Sequence, residues 1–191
     1  MYNHVKESFK HPNKELTRER LLAWRREPSV QKIDKPTNLP SARRLGYKAK
    51  QGIIVVRVKL PRGGRMRPQI RKGRRTTHMR RFKILDKNYR AVAEERAAKK
   101  FKNLEVLNSY KILKDGLYYW FEVIMVDPHQ SVIKSDKNLS WMINHRGRVS
   151  HGLTSAGKKS RGLRAKGIGA ERMRPSRRLN IKRRLRNDNI G

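Results

Sequence analysis

Residues 86–136 carry eight acidic and nine basic side chains, whereas residues 35–85 carry seventeen Lys or Arg and no acid at all. From 137 to 191 there are sixteen basic residues against only Glu171 and Asp188. This partition limits the fold more than any motif does. A stretch of one sign repels itself and has little to bury, so a core has to form around the near-neutral, apolar-rich island. The expected organisation is a helical segment and linker at 1–40, an α/β core domain at 41–136 that includes a basic loop at 61–85, and a basic C-terminal extension at 137–191.

With 191 residues and 36% hydrophobic content, the chain has material for one modest core but not for packing its whole length. A net charge of +35 requires a polyanion to screen it in the working state, and nucleic acid is the leading candidate. An anionic membrane surface fits less well, because the basic runs lack the large apolar residues of an insertion face. The chain has no Cys, which removes disulfides, thiolate zinc sites and cysteine catalysis. No run reaches the roughly twenty apolar residues of a membrane span. The first residues, MYNHVKESFKHP, lack a signal-peptide apolar core, so an intracellular, cytoplasmic protein is expected and the sequon Asn138-Leu139-Ser140 is inert.

Along the chain, Val5 and Phe9 share one face of a first helix, and Asn13 can cap a second that carries Leu21 and Trp24 and ends before Pro28. Trp24 is read as a packing residue. Residues 29–40, with Pro36 and Pro40, read as a linker. In Ile53–Leu60 (IIVVRVKL), Ile54, Val56, Val58 and Leu60 alternate with Arg57 and Lys59, the period of a half-buried strand. Asp86 or Asn88 can cap a helix over 88–102 whose shared face is Tyr89, Val92, Ala93, Ala97 and Phe101. Strands are expected at 104–113 and 117–126, joined by an Asp115-Gly116 turn whose residues tolerate positive φ. The second, LYYWFEVIMV, is apolar on both faces apart from Glu122, so it belongs in the middle of a sheet. Beyond 135 order is expected to fade. Trp141 and Met142 anchor the chain back, residues 146–166 form an extended RNA-threading arm, and Pro175 opens a short final helix with Leu179 and Leu185 as its few apolar contacts.

Motifs for chemistry are weak. Gly152–Ser160 nearly spells a phosphate-binding loop, but Lys159 stands where the pattern needs Ser or Thr, and no buried strand precedes it. Gly167-Ile168-Gly169 departs from a dinucleotide fingerprint at Arg172. The six histidines show no ligand spacing, so no metal and no cofactor is expected. Glu94, Glu95, Glu105 and Glu122 are the carboxylates of the island from which an acid/base pair would come. Glu94 and Glu95 lie beside Arg90, Arg96 and Lys99, which suggests helix-surface ion pairs, and Glu122 calls for a buried Arg or Lys partner. The reading is of a protein that is not an enzyme.

The cationic stretches suit binding. Arg43, Arg44, Lys48 and Lys50 surround Tyr47 between two glycines, a loop able to lie along a phosphate backbone with a stacking face. Arg62-Gly63-Gly64-Arg65-Met66-Arg67 is a cationic loop, and Arg71, Lys72, Arg74 and Arg75 continue it with nothing to bury, ordering only on a partner. Lys158, Lys159, Arg161 and Arg164 provide static phosphate contacts in the C-terminal run.

Several segments, ARRLGYKAKQG at 42–52, RGGR at 62–65, VAEERA at 92–97, VLNSY at 106–110, FEVIMVDP at 121–128 and GLTSAGKKSRGL at 152–163, resemble the fifteen-e family of large-subunit ribosomal proteins, the archaeal and eukaryotic kind. The resemblance implies an α+β domain, a four-stranded, mostly antiparallel sheet flanked by helices, with long basic extensions buried in large-subunit rRNA. The fourth strand would lie near Met79–Leu85. It also implies a structural role, with large-subunit rRNA and neighbouring ribosomal proteins as partners and no small-molecule substrate. Carried over position by position, the rRNA contacts are Arg43, Arg44, Tyr47, Lys48, Lys50, Arg62, Arg65, Arg67, Lys158, Lys159 and Arg161. The alternative is a DNA-packaging protein, since charge alone does not separate duplex DNA from folded RNA. Such proteins present a dimer surface or a groove-entering element, and none is evident.

Overall fold

The computed structural model describes residues 2–66, 82–83, 85–173 and 176–187. Helix α1 (Tyr2–Lys10) leads into α2 (Lys14–Arg26), where the Asn13 side chain accepts the Glu15 N–H at 2.8 Å and caps the second helix. Trp24 is buried, as a packing residue should be. The stretch read as a linker is not one. It contains strand β1 (Val30–Ile33) and opens helix α3 (Leu39–Arg44). Only Val30 of β1 is buried, so four residues between prolines left no readable alternation.

Strand β2 (Ile53–Pro61) is followed by two short strands, β3 (Arg65–Met66) and β4 (Phe82–Lys83), paired as a separate antiparallel ribbon. Helix α4 (Tyr89–Lys100) starts at Asn88, whose Oδ1 accepts the Ala91 N–H at 2.8 Å. Strands β5 (Glu105–Lys114) and β6 (Tyr118–Val126) complete a four-stranded antiparallel sheet in the order β1-β2-β6-β5. The architecture is α+β, with the apolar strand β6 in the middle. The fourth strand is β1 at the edge, paired Val30↔Val58 through Ile33↔Val55, and not the region near Leu85, where Phe82–Lys83 belongs to the ribbon. The β5–β6 turn also differs from expectation. Neither Asp115 nor Gly116 has positive φ; instead the Asp115 carboxylate accepts the N–H groups of Leu117 (2.7 Å) and Tyr118, while the Asp115 N–H donates to Tyr118 O at 3.0 Å.

Both faces of the sheet are covered. On one, Ala93 and Ala97 of α4 pack on Val56, Val58, Leu60, Val106, Phe121, Val123 and Met125, with Tyr89, Val92 and Phe101 at the margin. That is the helix face expected from the spacing. On the other, Ile53, Tyr110, Ile124 and Val126 meet Ala42 of α3, Ile133 of α5 (Ser131–Lys134), Leu139 and Met142. Trp24 adds a tilted ring contact to Trp120, centroids 6.1 Å apart. Arg57, read as solvent-facing, lies on this second face, 4.3 Å from the Trp24 ring centroid, with its guanidinium bound to Glu27 (Nε to Oε2 3.1 Å).

Among the described residues, regular structure continues beyond 135. A 3-10 turn (Ser140–Asn144) buries Met142 fully, while Trp141 stays 39% exposed, so Met142 is the stronger anchor. Residues 146–161 are docked rather than extended. Glu105 accepts the N–H groups of Gly147 (2.7 Å) and Arg148 (3.3 Å), and the Arg148 guanidinium donates to Val106 O at 2.6 Å. Helix α6 (Ser155–Ser160) then seats against the preceding turn so closely that a Cβ at Gly157 would fall 2.8 Å from the Gly152 backbone. A second 3-10 turn (Glu171–Met173) and helix α7 (Arg177–Asn187) follow, and Leu179, Ile181 and Leu185 of α7 are exposed.

Candidate nucleic-acid interface

The site is best built from its acids, because what they engage decides which cations are left to act outward. Glu94 of α4 is completely buried: Thr154 Oγ1 donates to it at 2.5 Å, the Ser109 hydroxyl donates to its other oxygen, and Arg90 lies one turn back. Burial pushes its carboxyl above the ordinary range, although both hydroxyls and Arg90 pull the other way. It is not the surface ion-pair residue expected; Glu95 takes that part, 2.6 Å from Lys87. Glu122, also fully buried, has neither Arg nor Lys as partner among the described residues. It accepts the Thr37 N–H at 3.0 Å and the Tyr110 hydroxyl, and burial together with Glu122 raises the Tyr110 phenol well above its usual range. Asp115 pairs with Arg25 at 2.7 Å. Asp136 takes both Lys50 and Lys48 (3.4 Å to the latter), and the Lys50 contact foremost holds its pKa at about 2. Glu94, Glu105 and Glu122 therefore bind parts of the fold together, which leaves them in no acid/base arrangement. Among the described residues no group of three or more His, Asp or Glu could hold a metal ion, and no helix is long and apolar enough to cross a membrane.

The predicted contact residues fall into three places. Arg43 and Arg44 end α3 and are exposed, but Tyr47 leans on the second core face and Lys48 and Lys50 are committed to Asp136. Arg62 donates to Asp115 O at 2.7 Å and lies 5.3 Å from the Tyr119 ring centroid. Gly63 has φ +101 with nothing near a Cβ, so the backbone conformation alone calls for glycine there; its N–H donates to the Tyr89 hydroxyl at 3.0 Å. Gly64 and Arg65 are exposed, and Arg67, Arg71, Lys72, Arg74 and Arg75 lie outside the described residues. Lys158 and Lys159 are exposed on α6, Arg161 caps its own turn through His151 O and Gly152 O (3.4 and 3.3 Å), and Arg164 is exposed.

The fold brings Lys159 and Arg164 together with Tyr89 and Tyr119, and Arg62 over the same Tyr119 ring, although these residues are up to about a hundred positions apart. Two cations in this cluster, Arg90 and Lys111, went unmarked in the sequence because they sit in the near-neutral island, where charges balance overall. A tyrosine followed by a cation at both places, Tyr89-Arg90 and Tyr110-Lys111, was the one signal available. Lys6 and Lys10 of α1 were also missed; they line a groove of ≈ 370 Å³ with Arg44 and Pro40.

The family model described as Ribosomal L15 matches residues 1–180. A curated protein from Methanocella arvoryzae (strain DSM 22066 / NBRC 105507 / MRE50), named large ribosomal subunit protein eL15, is 51% identical over 182 residues, covering 92% of this chain and 93% of its own length.

Proposed function

The chain belongs to the ribosomal L15e family, a family of large-subunit ribosomal proteins and not of enzymes, and from that premise we propose that it binds and stabilises folded large-subunit rRNA as a non-catalytic structural constituent of the subunit. The observation that carries the reading is the disposition of charge. Fifteen carboxylates cannot neutralise fifty cations, and in the folded core Glu94 and Glu122 are buried while Glu95, Asp115 and Asp136 are locked in pairs, so a large excess of positive charge is left for a partner to screen. Each outward Arg or Lys that meets a phosphate releases condensed counterions, and such contacts position RNA without reading its sequence. Arg43, Arg44, Arg65, Lys158, Lys159 and Arg164 are the contacts proposed among the described residues, and Arg67, Arg71, Lys72, Arg74 and Arg75 join them from the sequence. Its place is then the cytoplasmic ribosome, beside other large-subunit proteins.

The test is gradient sedimentation of a tagged full-length copy from cell lysate at low and high salt. Retention on large subunits through a high-salt wash is expected. Release by the wash, or co-migration with the chromosome, would transfer the role to DNA packaging.

A further inference from the structure

Four segments distant in sequence converge beside Tyr119: α4 through Tyr89 and Arg90, β5 through Lys111, β6 through Tyr119 itself, and the α6 region through Lys159 and Arg164. They line an open groove of ≈ 310 Å³ into which no carboxylate among the described residues projects. That volume is at the small end of what ligand clefts enclose, roughly 300–1,000 Å³. Its aromatic side is built by the Tyr89 and Tyr119 rings, centroids 4.8 Å apart and tilted by 44°. Lys111 Nζ lies over the Tyr119 ring, 4.9 Å from its centroid, and the Arg62 guanidinium lies over the same ring at 5.3 Å, so the aromatic wall is ringed by cations.

The cations are arranged against their own electrostatics. Arg90 is fixed by its Nε–H donating to Ser109 Oγ at 2.9 Å and by a second bond to Asn108 Oδ1. Burial holds its pKa below the ordinary guanidinium value, and Arg164 pushes in the same direction while Glu94 opposes. Like charges held together round a cleft, with no acid in it, are stabilised when an anion enters.

The aromatic wall narrows the choice of anion. A duplex backbone presents a ridge of phosphates, for which cations alone suffice. An unstacked base, by contrast, uses an aromatic face, and base–aromatic stacking beside a cationic track is the usual way single-stranded nucleic acid is held. We propose that this groove receives one unpaired nucleotide of RNA, its base against the Tyr89–Tyr119 wall and its phosphate among Lys111, Lys159 and Arg164. The inference rests on the rRNA reading above and adds the form of RNA taken and the place where it is held.

Ultraviolet crosslinking of intact large subunits, followed by digestion and mass spectrometry, reads the contact directly. A mononucleotide adduct on Tyr119 or Tyr89 is expected; adducts confined to other residues, or a crosslink from this groove to an acidic protein segment, would overturn it. In parallel, the full-length chain is titrated against large-subunit rRNA over a range of salt. Lys111→Gln, Lys159→Gln and Arg164→Gln together are expected to reduce the slope of log affinity against log salt by about 1, the share of one phosphate. Tyr119→Leu, accepted only if its unfolding curve matches wild type, is expected to lower affinity about tenfold with the slope unchanged. Should it fold poorly, the triple charge variant decides alone. If wild type binds rRNA and the triple variant binds it equally well with the same slope, the groove assignment fails and the wider reading stands. If wild type shows no preference for rRNA over duplex DNA, it is the wider reading that fails.

Discussion

Residues 139–161 and 176–187 have the same sort of composition, five and six Lys or Arg respectively and no acid in either, yet only the first is built into the domain. In 139–161, Leu139, Met142, Val149, Thr154 and Ala156 are buried, and Arg148 donates into β5. In 176–187, Leu179, Ile181 and Leu185 are all exposed. Charge density does not separate the two. What differs is whether a segment offers partners to acids and apolar sites already waiting on the core. Glu105 and Glu94 have spare acceptor capacity, and 147, 148 and 154 supply the donors. A basic segment docks when a few of its side chains complete a buried network, since unpaired buried carboxylates would otherwise be costly.

The comparison is open to direct attack by unfolding measurements on the full-length chain, taken here from the largest expected effect downward. Glu94→Ala removes the acceptor shared by Ser109 and Thr154 and leaves Arg90 beside a cavity; a loss of about 4 kcal/mol is expected in urea titration. Met142→Ala empties a fully buried site beneath the second face and should cost about 3 kcal/mol. Gly157→Ala drives a methyl group into the Gly152 backbone, which has no flexible end to yield, and about 2 kcal/mol of lost stability is expected, with hydrogen exchange speeding up in 148–160 before the sheet. Leu185→Ala on α7 should change stability by less than about 0.5 kcal/mol. Equal costs for Met142→Ala and Leu185→Ala would break the contrast.

A pH series sharpens it. Because the folded chain holds the Glu94 proton to higher pH than the unfolded chain, this group's contribution is fully present below the ordinary carboxylate range and is lost as pH rises through its raised pKa. Stability should therefore fall over that interval, and Glu94→Gln, neutral at every pH, should flatten the slope measured by thermal unfolding. A slope unchanged in the variant would mean that the proton is held elsewhere.

How much of this was readable beforehand follows from the kind of residue that does the work. The helix face Tyr89, Val92, Ala93, Ala97 and Phe101, strand β2 and the central place of β6 declared themselves through period and apolar content, signals that survive any tertiary context. Strand β1 did not, since one buried valine in four residues has no period. The docking of 146–161 was hidden for another reason: its anchors are an arginine, a threonine and a glycine, residue types that a composition reading assigns to solvent or to RNA. Glu122 was flagged as anomalous, but its partners are the Thr37 N–H and the hydroxyl of Tyr110 opposite it on β5, not the Arg or Lys its charge suggested. Among the interface residues, the clusters of like charge stood out, while Arg90 and Lys111 were masked by the acids near them in sequence, none of which lines the groove among the described residues.

One clasp carries a further consequence. The Arg62 N–H donates to Leu117 O at 2.8 Å, and the Tyr89 hydroxyl donates to Gly63 O at 2.7 Å, so the chain leaves the sheet and re-enters α4 at nearly one point. Closing a loop whose ends are pinned costs entropy only logarithmically in its length, and doubling the length adds about 0.6 kcal/mol. The stretch between Gly64 and Asn88 can therefore be lengthened or shortened during divergence at almost no expense to the core. The length of that connection can change while the scaffold that holds its two ends stays the same.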